Sequence, residues 1–257
     1  MKLTFVRNVM VAGAFLVASA AHAATIEQLF LADLTGNNAA EINVDEAGNV
    51  TCTAVIGFTD ACGGLTLPAG GTITPHGTLR VFGDIGQFSI DVTGHGGVTT
   101  VYPSLETLTQ ANVNNKSGAS GDFVTEFTDS QYCIDFPSCF GSMFRVAVGQ
   151  TPDSQINGST TDNQAWMSNF NTIPADVAIT PLIHLTGNNN NGLGGQVFIN
   201  PGGSSGSLSA STSTHFTGKG EVQTTFTIST LTPEPSTFAL FGIAAGFLGL
   251  KLRRRKA

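Results

Sequence analysis

The side chains in this sequence that could do chemistry lie far apart. Four histidines follow residue 23, and none has a second histidine or a cysteine at the close spacing that a zinc site uses. They are His76, His95, His184 and His215. The pattern favours surface or packed histidines, and it leaves open a metal site assembled from distant parts of the chain.

The carboxylates are equally scattered. A glycoside hydrolase needs two carboxyl groups held at a defined separation, and the spacing singles out no pair. The candidates are Asp84, Asp91, Asp122, Glu126, Asp129, Asp135, Asp153 and Asp162. The sequence contains no calcium loop of the EF-hand or Gly-Gly-x-Gly-x-Asp type. We therefore predict no metal ligands and no cofactor, with a Ca²⁺ ion at a loop as the open alternative.

Residues 202–206 (GGSSG) match the G-x-S-x-G pattern of a nucleophile elbow. That elbow requires a helix directly after the serine, and then an acid and a histidine in that order. Here serine and threonine follow, and only His215 and Glu221 come later before the tail, in the opposite order. We interpret the match as coincidence, predict no catalytic residues and favour a non-catalytic protein.

The start of the chain predicts a secretory signal peptide over residues 1–23. Lys2 and Arg7 give a positive start, residues 9–20 are apolar, and Ala21 and Ala23 form a small-x-small cleavage site for signal peptidase. The chain therefore enters an oxidising compartment, where its four cysteines favour disulfides. Pairing of near neighbours predicts Cys52–Cys62 and Cys133–Cys139, each contributing about 2–3 kcal/mol.

Composition describes the remaining body, residues 24–232. It contains four basic and 17 acidic residues, a net charge of −13. Nucleic acid is excluded as a partner because phosphate binding needs clustered lysine and arginine. Glycine, threonine, serine and asparagine dominate, which favours strands and turns over long helices. At 209 residues this is enough for one secreted all-β domain.

Alternation identifies the strands. Residues 87–92 place Phe88, Ile90 and Val92 on one face and polar side chains on the other, as in a half-buried strand. Residues 24–34 predict a strand or a short helix, residues 49–58 a strand, and the small-residue stretch 201–214 a loop or an edge strand. About ten short strands separated by turn residues predict a β-sandwich or jelly roll.

The last 25 residues have three features in order. Pro233, Glu234 and Pro235 precede an apolar run at 238–250, which a basic cluster at 251–256 follows. As a helix the run is about 20 Å long, so it spans a bilayer only with help from its flanks. We predict a single transmembrane helix with the basic residues on the cytoplasmic side: Arg253, Arg254, Arg255 and Lys256.

These three features resemble the PEP-CTERM sorting tail of exported proteins in Gram-negative bacteria that make exopolysaccharide. Thr232 stands where the family usually has valine. The resemblance covers residues 233–257 and implies an inner-membrane-anchored precursor that an exosortase-type sorting protease cleaves near Pro-Glu-Pro. The product then reaches the cell surface or extracellular matrix. Similar tails are reported on ice-binding proteins.

Three functions remain open for the body. The favoured hypothesis is a non-catalytic surface or matrix protein with a structural or glycan-interacting role, with exopolysaccharide as the expected partner. The alternative is a secreted polysaccharide hydrolase. The second alternative is an ice- or surface-binding protein. Its Thr-x-Thr pairs, such as Thr51/Thr53 and Thr225/Thr227, are irregularly spaced along the chain, which favours ordinary strand threonines.

Overall fold

The computed structural model of the chain describes residues 25–96, 105–132, 143–152, 159–168, 175, 177–178, 182–186, 195–198 and 206–231. The predicted signal peptide, the Cys133–Cys139 pair and the tail from residue 232 lie outside these residues. Within the described ranges, no helix has the length and apolar character needed to cross a membrane.

The described residues form sixteen strands and two 3-10 turns, Cys62–Gly64 and Ala69–Gly71. The strands are β1 (Thr25–Asp33), β2 (Asn38–Asp45), β3 (Val50–Ala54), β4 (Thr59–Asp60), β5 (Leu65–Thr66), β6 (Thr78–Ile85), β7 (Phe88–His95), β8 (Leu105–Asn115), β9 (Gly121–Tyr132), β10 (Met143–Pro152), β11 (Thr160–Ser168), β12 (Val177–Ala178), β13 (Ile183–Thr186), β14 (Gly195–Phe198), β15 (Gly206–Phe216) and β16 (Gly220–Leu231). Ten of them have eight residues or more. The all-β prediction is confirmed, with strands longer than expected.

The strands assemble into two sheets. The first has the order β12-β11-β15-β9-β1-β2-β3, with β13 also paired to β11 and β4 to β2. The second has the order β14-β10-β16-β8-β7-β6-β5. All pairings are antiparallel except the short β2–β4 contact. After β8 the chain crosses from one sheet to the other at almost every connection, so neighbours within a sheet come from distant parts of the sequence.

The core lies between the sheets and is built by alternate residues of each strand. Phe88 from the second sheet packs against Phe123 and Phe216 from the first, with ring centroids 5.0 and 5.3 Å apart. All three rings are fully buried. Burial of a side chain of this size contributes about 1.5–3 kcal/mol, so these contacts hold the two sheets face to face.

Several strands differ from the sequence expectations. Within residues 24–34, Thr25–Asp33 form strand β1 and not a helix, and β2 appears where the pattern had indicated no strand. The stretch 201–214 contributes to β15, which is neither loop nor edge because it pairs with both β11 and β9. Its serines and alanines are small enough to be covered on both faces, and this burial gives a central strand despite weak β propensity.

The Cys52–Cys62 disulfide is present, as predicted from nearest-neighbour pairing. It joins β3 to the 3-10 turn at Cys62–Gly64, ten residues along the chain. Both cysteines pack against the core from its edge. The disulfide therefore ties the connection between the first and second sheets to the rim of the first.

One end of the sandwich is closed by a buried carboxylate. Asp33, the last residue of β1, accepts hydrogen bonds from the backbone N–H groups of Thr35, Gly36 and Gln87, at 2.9, 2.8 and 3.2 Å. Gln87 belongs to the β6–β7 turn of the other sheet, beside Gly86, whose φ of 55° favours glycine. Asp33 therefore joins the two sheets without leaving its charge unpaired.

Candidate functional site

The opposite end of the same strand carries a second buried carboxylate. Strand alternation places Glu27 on the inward face of β1 together with Leu29, and the β1–β9 register sets Glu27 directly opposite Asp129. Leu29 pairs with Phe127 one step further into the core. Two acidic side chains therefore occupy inward positions at the point where the apolar core ends.

A histidine reaches this pair from the other sheet. His76 lies in the loop before β6 and has a φ of 56°, a left-handed conformation that is uncommon for residues other than glycine. Its Nδ1 lies 2.7 Å from Oδ1 of Asp129. The N–H of Gly96, just after β7, donates to the carbonyl of Gly77 at 3.2 Å, which fixes the loop against the end of the sheet.

Gly96 allows the two sheets to meet here. A Cβ atom at this position would lie 2.5 Å from Oδ2 of Asp129 and 2.9 Å from Oε1 of Glu27. Both separations are closer than a real Cβ contact, so a side chain at residue 96 would displace the carboxylates. The glycine is required by close approach of its backbone to the acidic pair.

The electrostatics of the pair are unusual. Glu27 is 0% exposed, and neither of its carboxylate oxygens accepts a hydrogen bond within the described part of the chain. Burial, and after it the negative charge of Asp129, raise the pKa of Glu27 from 4.5 to about 9. Burial opposes protonation of His76, but the hydrogen bond and charge of Asp129 outweigh it and raise the pKa of the imidazole.

Together the three groups form what we call the sheet-end cluster: Glu27, His76 and Asp129. One ligand atom from each lies within 4.8 Å of the others. Among the described residues, it is the only set of three or more histidine, cysteine or acidic side chains arranged closely enough to hold a metal ion. Its imidazole is the most accessible part, with 19% of the His76 side chain exposed against 4% for Asp129.

The sequence analysis had named His76 and Asp129 separately and had not singled out Glu27. The signal for Glu27 was present in β1, where a charged residue occupies the phase of Leu29 and Leu31. A charge in an apolar phase indicates a buried polar site. Its partners could not be identified because His76 lies 49 residues further along the chain and Asp129 another 53 residues beyond His76.

The other histidines make simpler contacts. His184 and His215 each place Nδ1 2.6 Å from an aspartate, Asp162 and Asp122 respectively. His184 is exposed and His215 is half-buried, and no third ligating group joins either pair within the described residues. His95 contacts the hydroxyl of Thr78 at 3.0 Å. These pairs provide matched comparisons for the sheet-end cluster.

The structure also shows the contacts of other carboxylates that the sequence analysis named as candidates. Asp91 pairs with Arg80 and Asp84 with Lys116, at 2.7 and 2.8 Å. The buried pair of Glu27 and Asp129 is closed off from a sugar-sized ligand. Asp135, Asp153 and residues 202–205 lie outside the described residues, and the last residue of the G-x-S-x-G match begins strand β15 where an elbow would need a helix.

The outer face of the second sheet is a second candidate binding surface. One cross-strand row contains exposed Phe82, then Asp91 and Asn112, with the Gln223 amide donating to Asn112 Oδ1 at 3.0 Å. Arg80 lies beside this row, with its guanidinium 5.8 Å from the Phe82 ring centroid. We call this the Phe82 row. It combines an exposed aromatic ring with polar groups of both signs.

Threonines occupy the neighbouring rows of the same sheet. The register of β8 with β16 sets Thr107 opposite Thr227 and Thr109 opposite Thr225, and Thr93 of β7 is opposite Thr109. The sequence analysis had described the Thr-x-Thr pairs as irregular along the chain. The sheet brings two such pairs into register, with strands about 4.8 Å apart and residues about 7 Å apart along each strand.

The fold therefore defines an all-β protein with two antiparallel sheets packed as a sandwich. The PEP-CTERM protein-sorting motif matches residues 231–256. This confirms the resemblance predicted from Pro233, Glu234 and Pro235 and the segments that follow them, and it marks the chain as an exported protein with a membrane-anchored precursor. The residues of the motif beyond 231 lie outside the described structure.

Comparison with other proteins adds little beyond the motif. No curated protein matches the chain. Among solved structures, TmCBM61 in complex with β-1,4-galactotriose is 7% identical, with 53% of this chain and 85% of that chain covered and a TM-score of 0.29. TmCBM27, a carbohydrate-binding module that recognises mannan, is 11% identical, with 66% and 90% covered and a TM-score of 0.30. At these TM-scores neither similarity supports an inference about function.

We predict that Glu126 makes stability depend on pH. It faces away from the core on β9, is 6% exposed, and shares its cross-strand row with Phe30 and Glu41. Burial raises its pKa from 4.5 to about 7. The folded state therefore holds a proton that the unfolded chain releases between these values, so the free energy of unfolding falls as pH rises from 4.5 to 7.

The measurement is urea unfolding of the wild type and of Glu126→Gln between pH 4 and pH 8. The variant stays neutral, so its free energy of unfolding should gain about 3 kcal/mol relative to wild type across this range. Glu46→Gln, in an exposed turn, is the control for removing one carboxylate. Parallel pH profiles for wild type and Glu126→Gln would contradict a raised pKa at this position.

Proposed function

We propose that this chain is an exported cell-surface or extracellular-matrix protein whose body has a non-catalytic, glycan-interacting or structural role. The observation that carries the proposal is the sorting motif at residues 231–256, which begins at Leu231, the last residue of strand β16. Strand β16 ends at Leu231, and Pro233 of the proposed cleavage site follows two residues later in the sequence. This arrangement suits a tail that is removed without disturbing the fold.

The proposed processing has two cuts. Signal peptidase removes residues 1–23 after Ala23, and an exosortase-type protease cuts near Pro233, Glu234 and Pro235. Before the second cut, the helix at 238–250 holds the precursor in the inner membrane with Arg253 to Lys256 on the cytoplasmic side. The body, with its net charge of −13, is then outside the cell. A strongly acidic surface supports solubility in that location.

The Phe82 row supports glycan interaction by the body. Phe82 is 45% exposed, although a large apolar side chain is usually covered. The apolar face of a sugar ring can pack on an aromatic ring, while its hydroxyls bond to nearby amide and carboxylate groups. Asp91, Asn112 and Gln223 provide such groups in the same row. The expected ligand is the exopolysaccharide of the host.

Processing is tested by intact-mass spectrometry of the protein from its own host, in membrane and extracellular fractions. We expect an extracellular species that begins at Ala24 and ends near Pro-Glu-Pro, four hydrogens lighter than the reduced chain because of two disulfides. Hexose-sized additions would indicate glycosylation. A species that keeps Arg253 to Lys256 and occurs only in membranes would show that the tail is a permanent anchor and that the sorting proposal is wrong.

Glycan interaction is tested by retention of the protein on immobilised exopolysaccharide from the host. We expect Phe82→Ala to reduce the affinity at least about tenfold, the magnitude typical of losing a buried aromatic contact. Ile56→Ala removes another exposed apolar side chain, 55% exposed and far from the row in sequence, and should leave retention unchanged. No retention of the wild type would leave only the structural role.

A second candidate, binding to ice or to another ordered surface, is favoured by the registered threonines. An ordered surface requires hydroxyl and methyl groups at regular intervals, and the Thr107–Thr227 and Thr109–Thr225 pairs have this regularity in the backbone. The Thr-x-Thr residues of β15 fit less well, since Thr212 and Thr214 are fully buried.

This candidate predicts measurable inhibition of ice recrystallisation by the wild type. Thr227→Lys should abolish the effect because a lysine would lift the sheet away from the crystal surface. Thr51→Lys places the same substitution on an exposed position of the other sheet and should retain the activity. Inactive wild type, or equal activity in both variants, would exclude this function for the threonine rows.

A further inference from the structure

The two ends of β1 differ in how their buried acids are satisfied. Asp33 and Glu27 are both 0% exposed and both face the interior. Asp33 receives three backbone N–H groups, whereas Glu27 receives none from the described residues. A buried carboxylate without donors costs several kcal/mol if it is ionised. The Glu27 end of the sandwich therefore holds a buried carboxyl group to which no described group donates a hydrogen bond.

A cation bound at this end would contact two acids. Asp129 lies directly opposite Glu27 in the β1–β9 register, and no described lysine or arginine pairs with Glu27. Arg80 and Lys116 make their ion pairs elsewhere, with Asp91 and Asp84. Two carboxylates in one buried site need a shared proton or a cation. The third member of the cluster, the His76 imidazole, is a ligand type that transition metals favour.

We propose that Glu27, His76 and Asp129 bind one divalent transition-metal ion, Zn²⁺ or Mn²⁺, between the two sheets. The two carboxylates balance the charge of a divalent ion, and the imidazole disfavours Ca²⁺ and Mg²⁺, which prefer oxygen ligands. The three ligand atoms lie within 4.8 Å of one another. A tetrahedral ion with ligands at about 2.1 Å needs them about 3.4 Å apart, which small side-chain rotations provide.

The backbone around the cluster suits this role. His76 adopts its left-handed φ of 56°, where glycine would fit more easily, and this conformation directs Nδ1 to Asp129. Gly96 leaves the carboxylates space that any side chain would fill. The partly exposed imidazole marks the route from solvent, and water completes the coordination.

The ion would close the sandwich at this end. It would join β1 and β9 of the first sheet to the loop that enters the second sheet, as Asp33 joins the sheets by hydrogen bonds at the other end. Because the three ligands come from separate segments, the unfolded chain presents no such site. Binding therefore stabilises the folded state in proportion to the occupancy of the site.

The test uses the full chain without a histidine tag, purified in detergent, stripped with EDTA and dialysed. Zn²⁺, Mn²⁺ and Ca²⁺ are added separately, and bound metal is measured by elemental analysis after desalting, alongside the Tm. We expect about one Zn²⁺ or Mn²⁺ per chain, and a Tm increase of about 5–10 °C at a metal concentration 100 times the Kd.

Two variants remove single ligands with little effect on the fold. Glu27→Gln keeps the shape of the side chain, and His76→Gly suits the left-handed backbone. Both should lose the bound ion and the metal-dependent rise in Tm. Without metal, Glu27→Gln should be at least as stable as wild type, because it no longer buries an unpaired acid. His184→Ala, from a histidine–aspartate pair without a third ligand, should bind the ion normally.

Three results would overturn the proposal. The first is metal binding by the wild type that Glu27→Gln and His76→Gly leave unchanged. The second is Ca²⁺ binding that depends on Glu27 without binding of Zn²⁺ or Mn²⁺, which would contradict the metal class. The third is no binding of Zn²⁺ or Mn²⁺ and no change of Tm with any ion, which would leave a shared proton as the way in which the two carboxyl groups are accommodated.

Discussion

The contact between the two sheets is the interaction on which the rest of this structure depends. Phe88 of the second sheet packs against Phe123 and Phe216 of the first. The sheets contribute strands from distant parts of the chain, so the fold rests on non-local apolar burial. The Cys52–Cys62 disulfide adds a local restraint at the rim, where β3 meets the following turn.

The apolar core stops at both ends of β1. A buried carboxyl group lies at each end, and the two groups differ in the hydrogen bonds that they accept. At Asp33 the backbone of both sheets supplies donors, so the charge is held by hydrogen bonds. At Glu27 the backbone supplies none within the described residues, and the imidazole of His76 approaches Asp129 from the side. The first end is complete with protein groups alone. The Glu27 end has two buried carboxyl groups and an imidazole, which are the groups of the metal site proposed above.

The outer faces of the two sheets differ in how much of their surface is exposed. The Phe82 row and the threonine rows lie on one face of the second sheet, where Phe82 is exposed beside the guanidinium of Arg80. The outer face of the first sheet is much more buried, as the low exposure of Glu126, Thr128 and Ser209 shows. The two sheets therefore have distinct roles, with the second providing the accessible face. Interaction with a glycan or an ordered surface would use that face and leave the sheet-end cluster undisturbed.

The residues predicted the all-β fold class well, but they predicted little of how the strands are arranged. Alternation identified β7 correctly because its inward side chains are large and its outward ones polar. It failed for β15, where serine, alanine and threonine alternate without contrast and burial on both faces comes from neighbouring strands. It also missed β2, where two of the four apolar residues are alanines. His76 and Asp129 were visible as candidates, but Glu27 was not, since its significance depends on the strand opposite.

The sequence by itself determined the sorting motif, the all-β class and the pairing of Cys52 with Cys62, because each depends on residues close together in the chain. Only the tertiary structure decided the strand order, the register of the threonine rows and the meeting of Glu27, His76 and Asp129. These features depend on which distant segments share the buried interface between the sheets. Local patterns specify that a strand has an apolar face, and they do not specify which other strand will cover it.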